Sequence, residues 1–298
     1  MRKDLLAGYL AGLTAAAIWG GMYVVSKVVM EVIPPFALLS SRLLLGIATL
    51  LLVAIFIPAK NRSLNDIRNY FFVGVVGYGI SLGFQFLGTK LSTASNGSLV
   101  TSSTPALVLP FAYLLLREKI TRFKIAAIFL ASLGVLAIID LRSIDLSSNL
   151  FLGNLSLTAA AITWALYSVL VRKFTKNNDI IFATAVMLAG GLPIALPMGV
   201  WEYMNQGFGV INVAVILGIL FLGIISTALA MFLWNFAFTQ ISAAQASLTF
   251  FAQPLVGTFL GWFFLHETIT PLVLAGGGLI CIGIYLSSIP DQSASPNV

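Results

Sequence analysis

The sequence carries little charge and few reactive side chains. Charged residues make up 9% of its 298 positions, against roughly 25% in an ordinary soluble domain. It has one cysteine, Cys281, and one histidine, His266, so an internal disulfide and a cysteine metal cluster are excluded. Its ten acidic residues all fall in connectors, tails or helix ends, which argues against a buried-carboxylate proton relay and an intramembrane aspartyl enzyme. We therefore expect no enzyme activity, no cofactor and no metal.

Apolar residues, in contrast, make up 59% of the sequence. A soluble fold of this length could not bury so much apolar surface, so lipid must be part of the solvent. Ten segments have the roughly 20 mostly apolar residues that a spanning helix needs. They cover residues 5–26, 35–58, 70–89, 94–116, 122–140, 151–171, 179–200, 211–236, 243–265 and 271–289. The sequence thus predicts an all-α polytopic membrane protein with ten transmembrane helices in a compact bundle.

The basic residues are distributed unevenly between the two faces of this bundle. With the N-terminus in the cytoplasm, twelve of the sixteen lie in cytoplasmic connectors, three lie outside and Arg42 lies inside the second helix. The twelve are Arg2, Lys3, Lys60, Arg62, Arg68, Arg117, Lys119, Arg122, Lys124, Arg172, Lys173 and Lys176. Because cytoplasmic loops carry an excess of Lys and Arg, we expect a multi-pass plasma membrane protein with both termini cytoplasmic. The positive charge indicates topology, and no nucleic-acid partner is expected.

The two halves of the chain share sequence. The string LTAAAI occurs at 13–18 and again at 157–162. Residues 94–134 also align without gaps on 243–283, with eleven identities in 41 positions. These identities bring a mid-helix proline and a glutamate near the helix end into register, which shared apolar composition does not easily produce.

This repeat predicts the organisation of the chain. Each copy holds five helices, and an odd number means that the second copy enters the membrane the other way up. We expect two inverted repeats at 1–140 and 151–289, a polar connector at 141–150 and a disordered tail at 290–298. Inverted halves are typical of secondary transporters, whose substrate site lies near the midplane between them.

Three stretches resemble the EamA domain of the drug/metabolite transporter superfamily. They are AAAIWGGMYVVSK at 15–27, the Ser41-Arg42-Leu43 triplet, and SAAQASLTFFAQPLVGTFLGWFFLHETIT at 242–270. The resemblance covers nearly the whole chain and implies a transporter of small organic molecules, with export the suggested direction. Members of the family export amino acids, other metabolites or drugs, so the resemblance leaves the substrate open. The second half departs from the first, because no arginine near Met187 matches Arg42.

Candidate substrate-binding residues form a polar stripe on the fourth and ninth helices. A polar stripe in a membrane helix avoids lipid and faces either a neighbouring helix or a watery cavity. The candidates are Asn96, Thr101, Gln245, Thr249 and Gln253. Pro105 and Pro254 interrupt the same two helices at equivalent positions. Because paired interruptions of this kind point to a transporter site, we predict that both prolines act as hinges. A simple packing kink at each proline is the alternative.

Further candidates lie on the first, third, sixth and eighth helices. Aromatic pairs share a helix face in the first and sixth, and amides and a tyrosine occupy the third and eighth. These residues are Trp19, Tyr23, Tyr78, Gln85, Trp164, Tyr167 and Asn235. For the aromatic pairs, core packing is the alternative to lining a cavity.

Three charged residues are predicted to have gating or structural roles. Arg42 lies inside the second helix, where it either extends outward or binds a substrate carboxylate. Glu118 and Glu267 precede Thr121 and Thr270, which are good N-caps for the next helices, so a turn-stabilising role is expected.

Together these patterns predict an alternating-access carrier for small neutral or zwitterionic metabolites such as amino acids. A passive channel or facilitator and a non-transporting membrane scaffold are the alternatives. The expected partners are the lipid bilayer and a small-molecule substrate, with protons or a counter-solute left open, and the protein is a monomer or a homodimer. Glu31, His266 and a helix-end glutamate are the groups available for proton coupling.

Overall fold

A computed structural model describes residues 3–57, 63–91, 103–138, 148–175, 179–265 and 271–288. Within these ranges the regular structure is helical and no strand is present. The helices are α1 (Lys3–Met30), α2 (Pro35–Ala54), α3 (Leu64–Leu91), α4 (Thr104–Leu116), α5 (Arg122–Ile138), α6 (Ser148–Thr175), α7 (Ile180–Gln206), α8 (Val213–Gln240), α9 (243–265) and α10 (Pro271–Ser288).

Within the described ranges, six helices are long and apolar enough to cross a membrane, namely α1, α2, α3, α6, α7 and α8. Shorter apolar helices occur within α4 and α10. Large apolar side chains cover the outside of the bundle, where Phe56 is 81% and Val210 85% exposed. Contiguous apolar surface of this kind is stable against lipid but not against water. The all-α prediction is confirmed for the described residues, whereas the count of ten spans and the inverted relation of the halves stay predictions.

Polar side chains cap the first turns of several helices. The side chain of Ser63 accepts from the Asp66 N–H at 3.1 Å, and the Asp66 carboxylate accepts from the Ser63 N–H. This capping box starts α3 at Leu64, whereas the predicted apolar segment starts at residue 70. Asp179 and Asn212 cap α7 and α8 by accepting from the N–H groups of Phe182 and Val215, so these helices begin close to the predicted starts. Thr121 caps α5 as expected, because its hydroxyl accepts from the Lys124 N–H at 3.4 Å. Hydropathy locates the lipid-facing stretch, while side-chain caps decide where the helix starts.

Most of the packing joins helices from residues 3–138 to helices from residues 148–288. The extensive pairs of this kind are α1 with α8 and α9, α2 with α7 and α8, α3 with α6 and α7, α4 with α6, and α5 with α10. The two segments are therefore interleaved, and the space at their centre is bounded by helices of both.

Two helices contain a π-helical segment, at Val75–Ser81 in α3 and Phe221–Leu229 in α8. Such segments widen the helix by one residue and turn its side chains relative to a regular α-helix. Gly77 lies in the first of them, where a side chain would overlap the ring of Tyr167. The glycine thus lets α6 place this ring directly against the backbone of α3.

The prolines predicted as hinges lie in different settings. Pro254 follows a short 3-10 segment, Thr249–Phe251, which interrupts α9. A proline at this point clashes with the carbonyl four residues earlier, and the tighter turn before it relieves that clash. Pro105 lies in the first turn of the described α4, where its missing N–H costs nothing, and residues 92–102 before it are outside the described part. Both hinge roles stay predictions.

Candidate functional site

A central chamber lies between the two segments of the chain. The space there measures about 520 Å³, including the part that is open to the outside, and the described residues that line it come from α1, α2, α3, α4, α6, α8 and α9. They are Trp19, Met22, Arg42, Ser81, Leu82, Gln85, Thr104, Ala160, Ala161, Trp164, Met231, Phe250 and Gln253. The wall is mostly apolar and aromatic, with two amides and one guanidinium, which is the usual make-up of a small-molecule site.

Two further cavities lie between this chamber and one end of the bundle. The first shares Met22, Arg42 and Gln85 with the chamber. The second shares Met30 and Thr89 with the first and reaches Lys90 and Gln206. We call this end, where α1 finishes and α2 begins, the Pro34 end. The shared residues show that the three cavities adjoin one another in succession.

Arg42 is the charged residue at the junction of the chamber and the first of these cavities. Its side chain is buried, with 3% exposed. Its Nε donates to the Thr227 hydroxyl at 3.2 Å, and its guanidinium also contacts the Ser226 hydroxyl at 3.4 Å. The guanidinium carbon lies 6.0 Å from the centroid of the Phe86 ring. The π segment of α8 thus supplies two hydroxyls that hold the guanidinium in place.

Aromatic rings close the chamber on the side away from the Pro34 end. The Trp19 ring lies 5.9 Å from Trp164 and 5.4 Å from Trp234, centroid to centroid. Phe250 lies 6.1 Å from Trp19 and 5.5 Å from Trp234. The Trp19 indole N–H donates to the Ser226 carbonyl at 3.0 Å, which fixes the ring between α1 and α8. Packed indoles of this kind resist rotamer change and give the chamber a rigid floor.

A buried polar network lies beyond this floor. The hydroxyl of Tyr167 donates to Asn235 Oδ1 at 2.6 Å and hydrogen-bonds the hydroxyl of Tyr78. Asn235 Nδ2 in turn donates to the Thr184 hydroxyl at 3.1 Å. Four helices (α3, α6, α7 and α8) meet at these groups, and all four side chains are buried. The network therefore fixes the arrangement of the helices around the chamber.

An ion pair joins the helix ends at the opposite end of the bundle, which we call the Glu118 end. Arg172 Nε lies 2.9 Å from Glu118 Oε1, and Arg172 also donates to the carbonyls of Phe238 and Ile241 at the end of α8. Glu118 Oε1 accepts from the Ala243 N–H at 2.9 Å, at the start of α9. Negative charge at a helix N-terminus and positive charge at a helix C-terminus are both favourable. This pair, here named the latch, holds α4, α6, α8 and α9 together.

Local backbone geometry brings Glu118 to this position. Arg117 ends α4 in the left-handed conformation, with a φ of 55°. The N–H of Glu118 then returns to the Ala112 carbonyl at 3.2 Å, as in the usual helix C-terminal motif. The chain reverses direction at this point, and the carboxylate of Glu118 is turned toward the first turn of α9.

The structure sorts the residues predicted from sequence into three groups. Trp19, Gln85, Trp164 and Gln253 line the chamber together with Arg42. Tyr78, Tyr167 and Asn235 form the network beneath it. Gln245 caps α9 with Ser242, and Thr249 is buried against Gly12 of α1. Asn96, Thr101, Glu267 and the side chain of Tyr23 lie outside the described residues.

Sequence reasoning missed the partner of Glu118 and several apolar wall residues. From the sequence, Arg172 is only one of the basic residues that predict the topology, whereas in the structure its side chain forms the latch with Glu118. The sequence predicts a turn-stabilising role for Glu118, and the structure shows in addition that its carboxylate contacts α6 and α9. Met22, Leu82 and Met231 line the chamber but carry no polar signal that would distinguish them from core residues.

Three known proteins or structures resemble this chain over nearly its full length. The uncharacterized transporter YoaV of Bacillus subtilis (strain 168) is 26% identical over 288 residues, covering 93% of this chain and 94% of that protein. A protein of Salmonella typhimurium (strain LT2) named "Probable amino-acid metabolite efflux pump" is 25% identical and covers 96% and 95%. A crystal structure with 20% identity superposes with a TM-score of 0.78, covering 94% of this chain and 96% of that one, which shows a shared fold.

The fold and chamber therefore define a multi-pass, membrane-embedded helical protein of the transporter class. The sequence matches the EamA-like transporter family over residues 6–140 and 151–289, and the chain belongs to that family. The resemblance found in the sequence is thereby confirmed. Because the family consists of transporters, the lipid bilayer and a small-molecule substrate are its partners.

Proposed function

We propose that this protein is a secondary carrier that exports small neutral or zwitterionic organic metabolites, such as amino acids, by alternating access. The central observation is a chamber between interleaved segments of the chain, which adjoins cavities leading to the Pro34 end and is backed by aromatic rings toward the Glu118 end. A site accessible from one end and obstructed at the other is what one state of an alternating-access carrier requires.

The composition of the chamber supports this substrate class. Its indole and phenyl rings suit an apolar or aromatic substrate part, while Gln85 and Gln253 provide donors and acceptors. The relative named as an amino-acid metabolite efflux pump is consistent with the same class. A sugar phosphate would need several buried cations, and the described lining includes only Arg42.

The latch supports alternation between two states. If the excess of basic residues places the Glu118 end in the cytoplasm, the arrangement described above corresponds to an outward-facing carrier. Opening the cytoplasmic side then requires Arg172 to leave Glu118 and the start of α9 to move away from α4. The paired π segments in α3 and α8, and the interrupted α9, are the parts of the bundle best able to absorb such a change.

Transport in proteoliposomes tests the proposal. The purified protein is reconstituted, and uptake of a panel of amino acids is measured with and without the unlabelled compound on the opposite side. We expect saturable uptake that accelerates when substrate is present on the other side, because a carrier returns faster when loaded. Gln253→Ala should reduce the flux about tenfold, since it removes a chamber amide, while the exposed Asn205→Ala should leave it unchanged.

Each alternative gives a different result in the same experiment. Uptake without acceleration from the opposite side would indicate a passive channel or facilitator. If the protein is folded and reconstituted but shows no saturable uptake of any compound in the panel, transport of this substrate class is contradicted. The remaining alternative is then a non-transporting membrane scaffold. Equal flux through wild type and Gln253→Ala would place the site elsewhere.

A further inference from the structure

The first helix contains a buried hydroxyl that has no hydrogen-bond partner among the described residues. Ser26 is 6% exposed, and its Oγ is unpaired. A serine in a helix can donate to the carbonyl one turn earlier, as Ser40, Ser41 and Ser168 do at 2.8–2.9 Å. Because buried polar groups are normally paired, the hydroxyl of Ser26 indicates a partner that this arrangement of the helices does not bring within reach.

Ser26 lies in the cavity that adjoins the chamber at Met22, which we call the neck. Ser26 and Met30 line the neck from α1, and Phe86 and Thr89 line it from α3. It measures about 320 Å³, whereas the next cavity toward the Pro34 end measures about 810 Å³, each including any part that is open to the outside. A solute that moves along these cavities between the chamber and the Pro34 end therefore passes through the neck at its smallest part.

The two helices that line most of the neck do not pack extensively against each other in the described part of the chain. The extensive contacts of α1 are with α8 and α9, and those of α3 are with α6 and α7. The hydroxyl of Thr89 donates to the Gln85 carbonyl at 2.8 Å, which leaves its oxygen available as an acceptor. The neck thus has an unused donor on α1 and an available acceptor on α3.

We propose that the neck is the gate of the carrier at the Pro34 end, and that Ser26 closes it by donating to the Thr89 hydroxyl when α1 moves onto α3. This inference rests on the proposed function, because a carrier that opens at one end has to close at the other. The hydroxyl that is unpaired in the open neck is then paired in the closed one. Met22 and Met30, one turn on either side of Ser26, have flexible side chains that fill the remaining space.

Helix α9 provides a physical link between the latch and this gate. Its first turn is held by Glu118, and its middle packs so closely on α1 that a side chain at Gly20 would overlap the Gln253 carbonyl. A movement of α9 is therefore transmitted to α1. Helix α3, in contrast, is held against α6, because Gly88, beside Thr89, packs on Leu157. Weakening the latch should thus favour closure of the neck.

A pair of cysteines in the full-length protein tests the gate. Cys281→Ser removes the exposed native thiol, and Ser26→Cys and Thr89→Cys are introduced together. A disulfide needs Cα atoms about 4.4–6.8 Å apart, so its rate of formation reports how often α1 approaches α3. The rate is measured as loss of maleimide-reactive thiols during mild oxidation. We expect Glu118→Gln to raise it about fivefold, because a weaker latch increases the population of the closed neck.

The same disulfide should stop transport. In proteoliposomes, oxidation of the Ser26→Cys and Thr89→Cys pair is expected to block the flux, and reduction should restore it. Phe84→Cys with Ser156→Cys is the matched control pair, since the Ser156 hydroxyl already donates to the Phe84 carbonyl at 2.8 Å between α3 and α6. Its rate of oxidation should not depend on the latch.

Single substitutions separate the gate from a purely structural role. Ser26→Ala removes a hydroxyl that is unpaired in this arrangement, so it should reduce the flux severalfold without lowering the unfolding temperature. Ser156→Ala removes a paired, buried hydroxyl and should lower that temperature. Thr89→Val should reproduce the flux defect of Ser26→Ala, and the double variant should be no worse than either single one, because both lose the same hydrogen bond.

The possible results discriminate between the gate and the proposed function. If no disulfide forms between positions 26 and 89, or if its rate is the same with and without the latch, the gate is overturned while amino-acid transport can still stand on the flux data. Additive flux defects of Ser26→Ala and Thr89→Val would also overturn it, since the two hydroxyls would then act separately, for example on the solute. A latch-dependent disulfide in a protein that transports no amino acid supports the movement of α1 and contradicts the proposed function.

Discussion

The hydroxyl of Tyr167 has an unusual concentration of contacts for one atom. It donates to Asn235 and hydrogen-bonds Tyr78, so it joins α6, α8 and α3 directly beneath the chamber. Its ring packs on Trp164 at a centroid distance of 4.8 Å and fills the space left by Gly77. Because the group is completely buried, water cannot replace a lost partner.

We predict that Tyr167→Phe destabilises the protein by about 1–3 kcal/mol, because Asn235 Oδ1 then loses its donor in a buried position. The measurement is unfolding of the purified protein in detergent, followed by temperature or denaturant. Tyr203→Phe is the matched control, since Tyr203 is 53% exposed, and it should unfold at the wild-type midpoint. Equal midpoints for Tyr167→Phe and wild type would show that the network does not stabilise this arrangement.

Two glutamates cap helices that are far from them in the sequence. Glu202, near the end of α7, accepts from the Phe36 and Ala37 N–H groups at 2.7 and 3.2 Å and caps α2, whose own N-cap residue is Pro34. Glu118 does the same for α9 at the other end and adds the ion pair with Arg172. The Glu202 cap is buried with 4% exposed, whereas the latch is partly exposed. A partly exposed pair is the better candidate for a contact that forms and breaks.

A double-mutant cycle on the latch tests this difference. We expect Glu118→Gln and Arg172→Gln each to reduce the free energy of unfolding by about 1–2 kcal/mol, with a coupling of about 1 kcal/mol, because the pair is partly exposed and screened. Lys173→Gln, at the next and exposed position, should have no effect. A coupling of zero would mean that the two side chains act through their backbone contacts alone.

The whole molecule is expected to have a fixed orientation, set by its basic residues. The predicted spans assign twelve of the sixteen basic residues to one face, so we predict that a green fluorescent protein fused after Val298 folds in the cytoplasm and fluoresces. Alkaline phosphatase inserted within 141–150 should be active, since that connector is predicted to lie outside. An active phosphatase at the C-terminus would contradict the predicted orientation.

The sequence alone determined the class of this protein and most of its helices. Apolar composition requires lipid, and runs of about 20 apolar residues locate helices because each must satisfy its own backbone in the bilayer. The described helices follow the predicted segments and differ mainly at their ends: the Ser63 cap starts α3 at Leu64, and α7 continues to Gln206. The family follows from motifs that cover nearly the whole chain.

Only the tertiary structure decided which polar residues share a cavity. Helix periodicity tells which side chains share a face, but not which neighbouring helix that face meets or at what depth. Gln253 and Gln245 lie on one stripe of α9, yet the first lines the chamber and the second caps the helix. Likewise, Trp164 and Tyr167 share a face of α6, but one borders the chamber and the other lies beneath it, where its ring packs against Gly77 of α3.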